Sequence, residues 1–311
     1  MTSKDRIKKI LEFKLPDRIG IFDDFADNVI QRWKDSGKLP KEIIPQDYFD
    51  FDIRLFGFDM SFNVDSKNIV SLTRIDRPST GECLKDSYDK AKIGKKFLAL
   101  SCTEPFEHIA RIAGKENLLT MMAEEASKAA NLFADSLEFT LSMCQLIIDE
   151  GYSFDGAWLW GDLGYERGLI FSTDYYNAFL FDLHKEFCDF FAKNNMPTVF
   201  HSDGNIRELI PYLIEAGLRA VEPLESDTGM DLAKLKREYG KDIVFLGGID
   251  EASFLDIKKA KKEIKSKFEY LMKDGGYVYR ADTPILGNIS FENYKDVIEL
   301  VKRYGNYSVD G

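Results

Sequence analysis

From residue 155 to residue 282 the chain repeats one pattern. A short apolar run ends on a polar residue, and a longer stretch follows with apolar positions every three or four residues. The short runs are 155–162 (DGAWLWGD), 197–203 (PTVFHSD), 219–225 (RAVEPLE), 243–250 (IVFLGGID) and 276–282 (GYVYRAD). Their length and their β-branched and aromatic content predict strands. The longer stretches, 174–195, 205–216, 231–239 and 251–273, read as amphipathic helices, with a last one over 290–304. Strands alternating with helices of this length predict βαβ units and a parallel sheet. Gly217 and Gly240 follow the last periodic residues of two helices, where glycine caps are expected. Ser290 opens the final helix, Gly305 stops it, and Asp174 is the expected N-cap of the helix over 174–195.

The first half is less regular. Residues 18–23 (RIGIFD) predict a first strand, followed by a helix through Trp33. Residues 50–58 (DFDIRLFGF) predict a second strand, 61–77 an inserted hairpin, and 96–102 (KFLALSC) a third strand. Helices are expected over 105–113 and 117–150. Three strands and five make eight, and no low-complexity linker or internal repeat divides the chain. The expected fold is therefore α/β, a (β/α)8 TIM barrel. It would form one catalytic domain over 1–311, irregular over about 1–95; such barrels take ~250 residues or more.

Composition narrows the function. Hydrophobic residues make up 44% of the 311, enough for a large core. Lys and Arg number 42 against 53 Asp and Glu, a net charge of −11. That balance argues against nucleic acid or an anionic membrane as partner, since both need basic patches. Cys83, Cys102, Cys144 and Cys188 are widely spaced, without a CxxC pair, as reduced thiols filling apolar space would be. Residues 1–15 are charged and lack an apolar signal core, and no apolar run approaches the ~20 residues that span a bilayer. A soluble, cytoplasmic protein is expected.

In a parallel barrel the chemistry sits at the carboxyl ends of the strands. Side chains two apart on a strand share a face, so His201 and Asp203 should look the same way. Gly204 would let the chain pass close to whatever is bound there. The same rule groups Trp158 and Trp160 with Asp162, and Arg280 with Asp282; Glu225 and Asp250 end two further strands. Asp162, His201, Asp203, Glu225, Asp250, Arg280 and Asp282 are thus expected at one mouth. Carboxylates around one imidazole suit a divalent metal, zinc or a harder cation, with His201, Asp203 and Glu225 as candidate ligands. Asp162, His201, Arg280 and Asp282 are the candidate catalytic groups. Trp158, Trp160 and Asp250 are candidate substrate contacts, although the tryptophans also suit core or pocket wall. Asp162 and Asp250 would equally serve as caps. His108 and His184 fall within helical patterns and read as structural. The chain has no GxSxG, HExxH or P-loop, so Ser or Cys nucleophilic catalysis is not favoured.

The segments HSDGNIRELIPYLIEAGLRAVEPLE (201–225), MDLAKLKREYGKDIVFLGGID (230–250) and GGYVYRADTPI (275–285) together resemble the uroporphyrinogen decarboxylase superfamily. MTSKDRIKKILEFKLPDRIGIF (1–22) and FDGAWLWGDLGYERGLIFSTDYY (154–176) are similar too, so the resemblance runs from residue 1 to about 305. It implies the same barrel, with a homodimer as the expected assembly. That superfamily also holds corrinoid-linked methyltransferases, including methylcobalamin:coenzyme M enzymes and the methyltransferase components of bacterial O-demethylases. Its uroporphyrinogen decarboxylases carry an arginine-rich R-Q-A-G-R-Y segment after the first strand, where this chain reads IFDDFADN (21–28). Acid in place of base would repel a polycarboxylated tetrapyrrole. Its zinc-dependent thiol methyltransferases carry His-x-Cys-Gly, where this chain keeps His201 but has Asp203 at the Cys position. What the resemblance implies is a corrinoid- (cobalamin-) dependent methyltransferase, with zinc held through oxygen rather than thiolate. It would move a methyl group between a small donor or acceptor, such as a methoxylated compound, and a separate corrinoid-binding protein. Asp162, Arg280 and Asp282 would orient the substrate and manage its proton. A decarboxylase of a smaller substrate, and a non-catalytic barrel binding tetrapyrrole or corrinoid, remain the alternatives.

Overall fold

The computed structural model describes residues 1–57 and 84–307. The hairpin expected over 61–77, and Cys83, lie outside them. Each of the eight expected strand positions carries a strand: β1 (Gly20–Ile21), β2 (Ile53–Gly57), β3 (Phe97–Thr103), β4 (Gly156–Trp160), β7 (Thr198–His201), β8 (Ala220–Glu222), β9 (Val244–Leu246) and β10 (Tyr277–Tyr279). Most are shorter than the apolar runs, because the polar residue at each end leaves the ladder to start a turn. A small antiparallel hairpin, β5 (Gly164–Tyr165) with β6 (Gly168–Leu169), was not expected. Two-residue strands have no periodicity to read.

The described residues fall into two compact units, one of 1–54, 84–97 and 220–307, the other of 55–57 and 98–219. In the first unit β1, β10, β9 and β8 lie side by side, all parallel, with Gly20 opposite Val278, Tyr277 opposite Phe245 and Ala220 opposite Val244. In the second, β3, β4 and β7 are parallel neighbours. Successive parallel strands are joined through helices, as the alternating pattern requires. The architecture is α/β.

Helix ends show where local chemistry prevails. Ser290 Oγ accepts the Asn293 N–H at 3.0 Å, and Phe291, Tyr294, Val297, Ile298 and Val301 form the buried stripe of the last helix, Phe291–Tyr304. Ser172, not Asp174, caps the helix Thr173–Phe179, accepting from the Tyr175 N–H. Asp174 sits in the first turn, where its charge favours the helix dipole. Three expected helices are each two pieces: Lys115–Glu124 with Ala126–Asp149, Thr173–Phe179 with Phe181–Ala192, and a 3-10 segment Glu251–Leu255 with Ile257–Leu271. At the last break Asp256 caps the second piece through the Lys258 N–H, an option that Asp offers and the apolar pattern does not record. Cys102, Cys144 and Cys188 are buried and free. No helix among the described residues is long and apolar enough to cross a membrane.

The irregular amino-terminal portion is tied to β1 by one carboxylate. Asp52 is fully buried and accepts from Arg6 Nη1 at 2.7 Å, Arg18 Nη1 at 2.8 Å and the Ile21 N–H at 2.8 Å. Removing it leaves two partly buried guanidinium groups short of charge, which typically costs about 3–5 kcal/mol. Asp52→Ala should therefore lower the unfolding free energy by that amount, seen as a lower urea midpoint at an unchanged denaturant slope. An unfolding free energy within ~0.5 kcal/mol of wild type would mean that the ion pairs are dispensable.

Candidate functional site

In the second unit, β4 and β7 pair so that Trp160 stands opposite His201. Beyond these residues the two strands turn out, carrying Asp162 on one side and Ser202-Asp203-Gly204 on the other. Several bonds stitch the turns together. The Asp203 N–H donates to Asp162 Oδ1 at 3.0 Å. Ser202 Oγ accepts from the Leu163 and Gly164 N–H groups and donates to the Asp203 carbonyl. The Asn205 N–H donates to the Tyr165 carbonyl at 3.0 Å.

Gly204 has φ +78°, and a Cβ there would lie 2.5 Å from the Tyr165 nitrogen. The close approach expected at Gly204 is therefore made to the chain's own β5, and glycine is required on both conformational and steric grounds.

The result is a compact group of donors. His201 Nε2 lies 3.7 Å from Asp162 Oδ1 and 3.6 Å from Asp203 Oδ1. The three donor atoms all fall within 4.8 Å of one another. Two donors each ~2.1 Å from a tetrahedral zinc ion stand about 3.4 Å apart, so the two imidazole–carboxylate separations fit such an ion with little adjustment. The imidazole is buried, whereas the Asp162 and Asp203 side chains are 26% and 47% exposed, which leaves one side open. Three protein ligands with an open side is the arrangement of catalytic rather than structural zinc. Trp160 stacks on the imidazole, ring centroids 5.2 Å apart and planes 15° from parallel. Trp158 is buried in the core.

Glu225 is not among these donors. It belongs to the first unit, where it precedes the 3-10 turn Ser226–Thr228 and its carbonyl accepts the Thr228 hydroxyl at 2.8 Å. The carboxylate that joins His201 and Asp203 in this group is Asp162, which the sequence placed among the catalytic groups. The other two histidines have structural partners: His184 lies between Tyr176 OH at 2.9 Å and Glu104 Oε1 at 3.1 Å, and His108 meets Ser136 Oγ at 2.7 Å.

The first unit holds a second set of charges, around β10. Arg280 is buried, with its Nη2 3.2 Å from Asp24 Oδ2 and its Nε 3.1 Å from Glu222 Oε2. The Glu222 approach is too bent for a hydrogen bond and acts as a charge contact. Burial disfavours the guanidinium charge, but Glu222, Asp24 and Asp23 outweigh it and hold Arg280 above its ordinary pKa. Asp282 accepts from Ser226 Oγ at 3.0 Å and from the Glu251 N–H at 3.1 Å, and burial raises its pKa. Asp250 caps the segment Glu251–Leu255 through the Ala252 N–H, the capping role open to it from sequence. Asp23 was not singled out, although it ends its apolar run as the other acids do. It is fully buried, accepts the Tyr294 hydroxyl at 2.7 Å and the Ala281 N–H at 2.8 Å, and is pushed up to about 7 by burial.

Parallel strands joined through helices, with ionisable groups at several strand ends, define an α/β protein. The sequence profile of the uroporphyrinogen decarboxylase (URO-D) family matches residues 87–304, and the chain belongs to that family. Among solved structures, a methyltransferase from Methanosarcina mazei shares the fold: 98% of this chain matches 99% of that one, with TM-score 0.70 and 13% identity. Dispersin B matches 71% of this chain with 76% of its own, at TM-score 0.43 and 16% identity. A search of curated proteins gives no match to the chain.

Asp23 makes a pH prediction with a definite sign. Its pKa is raised on folding, so the native state holds this proton more tightly than the unfolded chain. The associated stability is present below about pH 4 and is lost as pH rises through about 7. Asparagine removes the charge, its Oδ1 accepting the Ala281 N–H and its Nδ2–H donating to the Tyr294 hydroxyl oxygen in place of the bond now accepted there. Asp23→Asn should therefore gain stability relative to wild type between pH 4.5 and pH 8, by on the order of 3 kcal/mol. A stability difference that is equal at the two pH values would show that Asp23 does not titrate in this range.

Proposed function

We propose that the protein is a metal-assisted, corrinoid-dependent methyltransferase. The observation that carries this reading is the Asp162–His201–Asp203 group, open on one side, at the ends of two paired strands. Family membership supports it, as does the fold likeness to a methyltransferase. The same likeness supports a closed (β/α)8 barrel and a single catalytic domain as parts of the proposal.

Asp162, His201 and Asp203 would hold a divalent ion, with zinc the best match to their spacing, and the ion would supply Lewis-acid polarisation of a methyl-bearing oxygen. The corrinoid would come from a separate protein, and the methylated substrate would be small. The chain's own residues do the rest. Trp160 holds the imidazole plane, and the Asp203 N–H bond to Asp162 keeps the two carboxylates apart and oriented. Methyl transfer is a displacement, so charge develops on the leaving atom and must be met by prearranged groups. Arg280 and Asp282 remain the first unit's candidate catalytic groups: a guanidinium fixed by Glu222 and Asp24, and a carboxyl that keeps its proton more tightly than usual. Decarboxylation of a polycarboxylate is less well supported, because Arg280 is already met by two carboxylates and Asp23 and Asp24 replace the family's arginines.

The test begins with metal. Metal-stripped protein should take up about one equivalent of zinc, and His201→Ala and Asp203→Ala should each weaken uptake by more than ~100-fold, beyond what loss of a supporting group costs. The same variants should abolish demethylation of methoxylated compounds with reduced free corrinoid as acceptor, followed by the corrinoid's visible absorbance. Wild-type turnover indifferent to both substitutions and to chelator would overturn the reading. Carbon dioxide release without corrinoid would replace it with the decarboxylase.

A further inference from the structure

Beside the donor group lies a contact that neither the sequence pattern nor the proposed chemistry uses. The Arg111 guanidinium carbon sits over the Trp160 ring, 4.5 Å from its centroid, and Trp160 is the ring that stacks on His201. Arg111 does not float there. Its Nε donates to Glu107 Oε1 at 2.9 Å, one turn back on the helix Pro105–Ala113, and Glu107 is buried. Glu107 in turn donates its N–H to Glu104 Oε2, the cap of that helix. The helix is seated directly on the end of β4: a Cβ on Gly161 would lie 2.5 Å from Glu104 Cβ and 3.0 Å from Glu107 Cβ. Gly161 follows Trp160, so the same close approach that demands glycine brings Arg111 within reach of the indole.

We propose that Arg111 is a positioning residue for His201, acting through Trp160. The imidazole plane must be held for Nε2 to face Asp162 and Asp203. The indole of Trp160 is only partly buried at its strand end, and a cation over its face restrains it. The chain of contacts runs Glu107, Arg111, Trp160, His201. Arg111 touches neither substrate nor metal in this account. The proposal rests on the reading of His201 as a metal ligand only for its functional consequence; the positioning itself is a statement about ring geometry.

The test separates the two. The chain has three histidines, so the His201 ring signal is assignable in a histidine-labelled sample by comparison with His201→Ala. Stacking on Trp160 should shift that signal upfield by ring current, and Trp160→Leu should abolish the shift. Arg111→Ala should reduce it by about half, while Arg111→Lys, which keeps the cation, should restore most of it. In zinc titrations of metal-stripped protein, Arg111→Ala should bind about 2–5-fold more weakly, the effect of one exposed cation–ring contact. Arg111 is itself half exposed, so the variant should fold, with an unchanged far-ultraviolet circular dichroism spectrum. A His201 signal identical in wild type and Arg111→Ala overturns the proposal whatever the metal result. A wild type that binds no zinc overturns the metal reading instead, and leaves the ring shift to judge Arg111.

Discussion

The second unit's site depends on the register between β4 and β7. Parallel ladders set side-chain direction residue by residue, and slipping one strand by a single position turns every side chain to the other face. With Trp160 opposite His201, the indole stacks on the imidazole, and the next residues of both strands reach the same space. The turns beyond are then held by backbone bonds, Asp203 to Asp162 and Ser202 to Leu163 and Gly164, and by the contact of Gly204 with Tyr165. A metal ligand set needs its donors placed to within about half an ångström. In the proposed site such placement would come from hydrogen bonds between main chain and neighbouring side chains rather than from long, flexible side chains.

The two units treat charge differently. In the first, each buried ionisable group described above has its counterpart: Arg280 with Glu222 and Asp24, Asp23 with Tyr294 and the Ala281 N–H, Asp282 with Ser226 and the Glu251 N–H. Burying charge is costly unless it is matched. In the second unit the Asp162 and Asp203 carboxylates, both partly exposed, stand 3.7 and 3.6 Å from the buried imidazole of His201.

Much of the fold was legible because apolar periodicity is local. Eight runs named eight strands, and Ser290 and Gly305 bounded the last helix as their chemistry requires. The misses were also physical. Thr173–Phe179 and Phe181–Ala192 share one apolar stripe, so the break at Leu180 leaves no mark in the pattern. Asp174 and Ser172 are both good caps, and only the path of the backbone decides which hydroxyl or carboxylate meets the free N–H. The hairpin of β5 and β6 is too short for alternation to show.

The sequence by itself determined that this is an α/β chain with acids at its strand ends, that His201 and Asp203 share a face, and that glycine is needed at 204. Those are properties of one strand and its turn, set by the two-residue repeat of the β backbone. Only the tertiary structure decided that Asp162 comes within 3.7 Å of His201 Nε2, that Gly204 is pressed by β5, and that Arg111 reaches Trp160. Those depend on which strands and helices become neighbours, and the energy that selects neighbours comes from packing across the whole unit. No window of sequence contains it.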